Sequence, residues 1–218
     1  MNKEREQKQN KKKKLIIVLI VLLCAVPVLF LLNRLLDRDW ASILRQQDAV
    51  ETRPLNIRFA EADYDENIFE DAAYLDKNRD LIYTEGGVTR VISENHAYYG
   101  AGVEFFYRYF LALMCGDADM LNSLYREEYF ADHDRFADFT MQKVYNIEIE
   151  KLSETLLEEG AYAGCKRYTF RVAYMILDNN GTFRRDVGSD AAVPEIFELL
   201  EDETSLKIYS VSGYIRVE

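Results

Sequence analysis

The sequence has few of the residues that build metal and redox sites. It contains three cysteines and two histidines among 218 residues, with no C-x-x-C pair and no His/Cys cluster. A structural zinc site needs four such ligands at close spacing, so the sequence predicts no metal site and no bound cofactor. Cys24 lies in an apolar run, whereas Cys115 and Cys165 either pair in an oxidising compartment or remain buried thiols.

Basic residues become scarce after residue 14. Residues 1–14 hold seven of the 27 Lys and Arg but only two of the 38 Asp and Glu, which leaves a net charge of −16 on the remainder. A domain of that charge repels phosphate backbones, so we exclude nucleic acid as a partner.

An unbroken apolar run occupies residues 15–32, and fifteen of its eighteen residues are Leu, Ile, Val or Phe. As a helix it would be about 27 Å long, close to the thickness of a bilayer core. The run predicts a transmembrane helix, and the basic tail 1–14 before it places the N-terminus in the cytoplasm. The C-terminal part is then extracytoplasmic, in a single-pass protein of the cell membrane. A cleaved signal peptide is the main alternative, but the run is long for one and no A-x-A site follows. A lipoprotein is disfavoured because Leu23 precedes Cys24.

Two segments separate this run from the main domain. Residues 33–54 predict a juxtamembrane helix or linker, with Trp40 at interfacial depth and Pro54 ending it. Residues 55–99 form an extension, in which 81–84 and 88–92 flank Gly86-Gly87 and predict a β-hairpin.

Residues 100–218 predict an α+β domain. Val103, Phe106, Phe110 and Leu113 keep helical spacing over 101–115, Gly116 ends that helix, and Asp117 caps a second one predicted to reach residue 128. A short third helical piece is expected at 132–139. After residue 140 apolar residues alternate, which predicts antiparallel strands at 145–149, 165–177, 182–187, 199–200 and 206–211.

Helices followed by a curved antiparallel sheet resemble the nuclear transport factor two-like (cone, or cystatin-like) superfamily. The resemblance rests on the helix 103–114, the turn Gly116-Asp117, Leu124-Tyr125 and the tail 206–211, where Leu206 replaces the Trp that often begins the last strand. It implies a sheet that wraps over the first helix and a pocket at the open end. Some members are isomerases or dehydratases that use Asp, His or Tyr in that pocket, and many others bind without catalysis or form dimers.

A speculative ligand pocket follows from this resemblance. Its candidate residues are Tyr107, Tyr109, His133, Tyr145, Tyr168 and Tyr174. The tyrosines would offer hydroxyl groups to a ligand, or they are simply core and sheet aromatics. His133 between two aspartates is the best candidate base, although a solvated loop explains the same residues. We assign no catalytic residue.

The predicted membrane topology is the main basis for the functional prediction. We expect a non-catalytic, membrane-anchored interaction or assembly module of a cell-envelope complex, with protein partners and a possible homo-oligomer. Its layout is similar to proteins of secretion and conjugation machinery. The alternatives are a small-ligand or peptide sensor and, less favoured, a cone-pocket enzyme of the isomerase or dehydratase type.

Overall fold

The computed structural model describes residues 57–213 of the chain. In chain order the elements are a 3-10 helix Ile68–Glu70, α1 Ala72–Leu75, β1 Leu81–Glu85, β2 Val88–Ile92, a 3-10 helix His96–Tyr99, α2 Ala101–Cys115, α3 Ala118–Ser123, a 3-10 helix Glu127–Ala131, β3 Lys143–Leu156, β4 Lys166–Leu177, β5 Glu195–Glu201 and β6 Leu206–Gly213. The domain is α+β, as its sequence predicts.

The six strands form one open, mixed sheet in the order β2-β1-β3-β4-β5-β6. Strands β3 to β6 are antiparallel neighbours, and β1 and β2 form the predicted hairpin. The antiparallel sheet predicted for residues 100–218 is confirmed in β3 to β6, and the hairpin makes the whole sheet mixed because β1 pairs with β3 in parallel. The 50 residues between β2 and β3 provide the long connection that such pairing requires.

Irregular pairing bends the sheet. The register between β3 and β4 shifts between Tyr145 and Glu148 and again between Lys151 and Ser153, and β5 and β6 shift once. Bulges of this kind bend a strand and increase its twist. The resulting curvature gives the sheet a concave face that holds α2.

Helix α2 begins and ends as predicted, and Gly116 ends it in the left-handed conformation. The Asp117 carboxylate then accepts a hydrogen bond of 2.7 Å from Met120 N and caps α3. Helix α3 stops at Ser123, short of the predicted residue 128. Its continuation is interrupted because Tyr125 bridges to Ile208 and Arg126 N donates to the Ile208 carbonyl on β6.

The core lies between α2 and the concave face. Phe106 contacts Phe170 of β4 and Phe197 of β5 edge to face, with centroid distances of 5.1 and 5.6 Å. The helix approaches β4 so closely that a Cβ on Gly102 would lie 2.6 Å from Phe170 Cζ. On β4, Phe170, Val172, Tyr174 and Ile176 are buried, as their alternation predicts. The face is therefore largely filled by aromatic side chains.

Residues 57–80 pack against the sheet through a few specific contacts. The Tyr74 hydroxyl donates to the Val144 carbonyl at 2.9 Å. The ammonium group of Lys143 forms ion pairs with Glu66 and Asp71, each 2.7 Å from its Nζ. These contacts attach the segment to the start of β3.

Several predictions lie outside the described residues. They are the basic tail 1–14, the spanning segment 15–32 and the juxtamembrane segment 33–54. Across residues 57–213, no helix combines the length and apolar character needed to cross a membrane. Cys115 and Cys165 are both free thiols, so the disulfide alternative is not what the structure contains.

Candidate functional site

A cavity of about 120 Å³ opens beside the C-terminal half of α2. Helix α2, the segment after α3, strands β4 to β6 and the β4–β5 loop all contribute to it. Seven of its ten lining residues are aromatic. The aromatic ones are Tyr109, Tyr125, Tyr129, Phe136, Tyr174, Phe183 and Phe197.

Two of the tyrosines are enclosed within the site. Tyr109 and Tyr125 are 2% and 3% exposed. Burial raises the pKa of each phenol well above its usual range, and each lies near the Glu195 carboxylate, which raises the pKa further. Both hydroxyl groups are therefore neutral at physiological pH and serve as hydrogen-bonding groups.

An arginine between two carboxylates forms the charged part of the site. Arg184 donates to Asp186 through Nε at 2.7 Å and Nη2 at 2.6 Å, and through Nη1 to Glu195 Oε2 at 2.6 Å. Nη1 also donates to the Tyr174 hydroxyl at 3.2 Å. The guanidinium is thus held by three neighbours, and the cluster of Arg184, Asp186 and Glu195 carries a net charge of −1 when both acids are ionised.

The two carboxylates differ in their environments. Burial raises the pKa of Glu195, although Arg184 opposes the shift. The Arg184 guanidinium, which binds Asp186 through two nitrogens, lowers the pKa of that carboxyl, although partial burial opposes the shift. Among the described residues, the hydrogen bond from Arg184 to Oε2 is the one that the Glu195 carboxylate accepts. Within that same part of the chain, its Oε1 accepts no hydrogen bond, and the side chain is 21% exposed.

The structure brings two of the six predicted site residues into this cavity. Tyr109 and Tyr174 line it. His133 is exposed just outside, with its ring stacked at 4.2 Å on Tyr129 and its Nδ1 3.0 Å from the Tyr129 carbonyl.

The other three predicted residues lie elsewhere. Tyr107 stacks on the His96 ring at 3.9 Å. The Tyr145 hydroxyl donates to Asp190 Oδ1 at 2.7 Å, and burial together with this bond raises the Tyr145 pKa to about 12. Tyr168 donates to Glu201 Oε2 at 2.7 Å, near the N-terminal end of α2. These phenols are engaged in local contacts and do not converge on one site.

The sequence analysis missed the charged residues of the site. The sequence pattern could have placed Glu195 on the inner face of its strand, because it alternates with Phe197 and Leu199, both of which are fully buried. No sequence pattern indicates Arg184, because residues 182–187 are predicted to form a strand. The structure has a loop there. That expectation is wrong because Asn179 holds the loop through bonds to the Arg184 and Val187 carbonyls.

Within residues 57–213, no group of three or more His, Cys, Asp or Glu side chains is placed to hold a metal ion. No protein-family model, curated protein or solved structure matches this chain. Its function is therefore argued from the geometry of the site.

Proposed function

We propose that the chain is a membrane-anchored, extracytoplasmic binding module of a cell-envelope complex, and that the aromatic cavity contacts its protein partner. The apolar run 15–32 and the basic residues before it support the anchor and the orientation. Assembly of a secretion- or conjugation-like complex is the setting that this layout fits best.

The filled concave face is the observation that carries the non-catalytic part of the proposal. Phe106, Phe170 and Phe197 occupy the centre in edge-to-face contact. The cavity beside the C-terminal half of α2, at about 120 Å³, is smaller than the ~300–1,000 Å³ typical of sites that enclose a small molecule. A space of this size suits the end of a side chain better than a whole substrate.

The charge arrangement supports binding over acid–base catalysis. A general base must reach the proton that it removes, with the substrate enclosed beside it. Among the described residues, Glu195 is the one acid that lines this cavity, and Arg184 holds its Oε2 at 2.6 Å. An isomerase or dehydratase would need a larger enclosed volume next to that carboxylate.

We also propose that the fold is nuclear transport factor two-like. Helix α2 crosses the concave face of the curved antiparallel strands β3 to β6, and α3 follows it after the two-residue turn Gly116-Asp117. These features fit the cone architecture. The hairpin β1–β2 then extends the sheet at its β3 edge.

A small-ligand or peptide sensor is the second candidate. It is favoured by the unfilled volume and by the buried carboxylate with a raised pKa. A sensor would bind its ligand in the cavity without a stable protein complex, which crosslinking distinguishes.

The test is photocrosslinking in intact membranes from two exposed positions. A photoreactive amino acid replaces His133, beside the cavity, or Val91 on β2 at the opposite edge of the sheet. We expect envelope proteins to be captured from position 133 and much less from position 91. Equal capture from both positions, or release of the chain by carbonate extraction, would overturn the proposal.

A further inference from the structure

Seven aromatic residues and one carboxylate, that of Glu195, line the cavity. Tyr125 stacks obliquely with Tyr129 at 4.7 Å and with Phe136 at 5.2 Å, and Phe136 continues to Phe183 at 5.8 Å. These rings form a continuous wall. The Glu195 carboxylate lies close enough to Tyr129 to add to the effect of burial in raising the pKa of that phenol.

Resting on the proposed function, we propose that this cavity binds an organic ammonium group, presented as a lysine side chain of the protein partner. Glu195 acts as the counter-ion and the tyrosine and phenylalanine rings as the walls. Aromatic faces attract cations through their quadrupoles, most strongly where water is excluded. The partly buried Glu195 carboxylate, whose Oε1 accepts no hydrogen bond within residues 57–213, is stabilised by the same ligand.

The charges favour a cation over an anion. Within residues 57–213, Arg184 is the one basic residue that lines the cavity, and two carboxylates and a phenol already engage it. An anion would have to displace Asp186 or Glu195 from the guanidinium. A cation meets the net charge of −1 on the cluster, and the net charge of −16 on residues 15–218 attracts it from a distance.

Hydrogen-bond geometry favours lysine over arginine. A guanidinium pairs best with both oxygens of a carboxylate, but Oε2 of Glu195 already accepts from Arg184. An ammonium group needs a single oxygen and offers its remaining protons to nearby hydroxyl groups. Oε1 of Glu195 and the phenol oxygens of Tyr109 and Tyr125 provide acceptors of that kind.

The experiment titrates the full chain in detergent micelles with n-butylammonium, which reproduces the end of a lysine side chain. Binding is followed by the NMR signals of the tyrosine rings at constant ionic strength. The comparison ligands are n-butylguanidinium, tetramethylammonium and neutral n-butanol. We expect n-butylammonium to bind most tightly, and n-butanol binding as tightly would overturn the proposal.

Glu195→Gln tests the counter-ion, and Glu198→Gln is its matched control. Glu198 lies on the same strand, where its carboxylate accepts from the Ser210 hydroxyl at 3.0 Å outside the cavity. We expect Glu195→Gln to weaken n-butylammonium binding about tenfold or more and Glu198→Gln to change it less than about twofold. Equal effects of the two substitutions would overturn the assignment of Glu195.

A second pair of variants keeps the test decisive if Glu195→Gln does not fold. Tyr129→Leu removes one ring of the wall, whereas Tyr162→Leu removes a half-buried ring that packs on Tyr209 outside the cavity. We expect only the first to weaken binding, by about threefold or more. Loss of n-butylammonium affinity in both variants alike would contradict the aromatic wall.

The titration and the crosslinking distinguish a failure of the ammonium site from a failure of the proposed binding module. Crosslinks from position 133 without any n-butylammonium binding would overturn the ammonium site and leave the binding module in place. Binding of n-butylammonium that depends on Glu195, without crosslinks from position 133, would support the ammonium site and overturn its presentation by a protein.

Discussion

Two arginines in this domain have the same types of partner in two different parts of the fold. Arg184 lies between Asp186 and Glu195 and 5.8 Å from the centre of the Tyr174 ring. Its side chain faces the cavity beside the concave face of the sheet.

Arg126 lies between Glu128 and Asp202, at 3.5 and 3.1 Å, and 5.4 Å from the centre of the Tyr162 ring. This second cluster is at the β5–β6 turn, where Asp202 also accepts bonds from the Thr204 hydroxyl and from the turn amides. Each cluster thus contains one arginine, two carboxylates and one tyrosine.

The hydrogen bonds that their carboxylates accept separate the two clusters. Hydrogen bonds from Thr204, followed by that from Arg126, hold the pKa of Asp202 below its usual range, whereas burial raises the pKa of Glu195. Turn amides and the Thr204 hydroxyl bind Asp202, so the Arg126 cluster is a structural tie. Glu195, whose side chain is 21% exposed, accepts one hydrogen bond among the described residues, from Arg184. The same residue types therefore form a structural tie around Arg126 and part of the proposed binding site around Arg184.

Replacing each arginine gives the largest expected difference. Arg184→Met leaves the partly buried Glu195 without its cation, and since breaking a fully buried pair costs about 3–5 kcal/mol, we expect a loss below that range. Arg126→Met should lower the free energy of unfolding less, because turn amides and the Thr204 hydroxyl still bind Asp202 and the buried Nε of Arg126 has no hydrogen-bond partner among the described residues. Urea denaturation of the full chain, followed by near-ultraviolet circular dichroism, measures both values.

The control is the double variant Arg184→Met/Glu195→Met. Removing both members of a buried pair leaves no unpaired charge, so we expect it to recover a large part of the loss caused by Arg184→Met alone. Equal losses for Arg184→Met and Arg126→Met would contradict the comparison.

The pH dependence of stability should have opposite signs at the two clusters. The pKa of folded Glu195 lies above its unfolded value of about 4.5, so its contribution is full below pH 4.5 and is lost as pH rises through the folded pKa. The stability of the wild-type chain minus that of Glu195→Gln should therefore fall as pH rises between these two pKa values, with a slope of at most about 1.4 kcal/mol for each pH unit. Denaturation at several pH values measures this difference.

Asp202→Asn provides the contrast. Its folded pKa lies below the unfolded value of 3.8, so its contribution is present above pH 3.8 and disappears as pH falls through the folded pKa. The stability difference for Asp202→Asn should therefore rise with pH below about 3.8, whereas that for Glu195→Gln should fall with pH above about 4.5. Parallel slopes would show that burial does not distinguish the two carboxylates.

Local sequence patterns predicted many of the secondary-structure elements around the two clusters. The helix 101–115, its end at Gly116, the cap at Asp117 and the hairpin at 81–92 all depend on neighbouring residues, and the structure contains each of them. Alternation likewise located β4. These features are decided by side-chain period and turn chemistry, which a single sequence displays.

The site depended on contacts between distant residues. Arg184 and Glu195 meet because loop 178–194 folds back on β4 through the buried Asn179, and no period in the sequence encodes that fold. The parallel pairing of β1 with β3 also joins segments some 60 residues apart. Propensity and patterning describe each segment, whereas burial of a particular carboxylate follows only from how the segments assemble.

The smallest difference concerns the two tyrosine hydroxyl groups. In Tyr174 the hydroxyl is buried and accepts from Arg184 Nη1 at 3.2 Å, so Tyr174→Phe should lower the free energy of unfolding by about 0.5–1.5 kcal/mol. In Tyr162 it donates to Glu128 at 3.4 Å in contact with water, so Tyr162→Phe should change stability by less than about 0.5 kcal/mol. Both rings stay in place, so the same urea titration isolates the hydroxyl groups. An effect at Tyr162 as large as that at Tyr174 would mean that the two hydroxyl groups are equally shielded from water. The distinction between the structural tie at Arg126 and the proposed binding site at Arg184 would then fail.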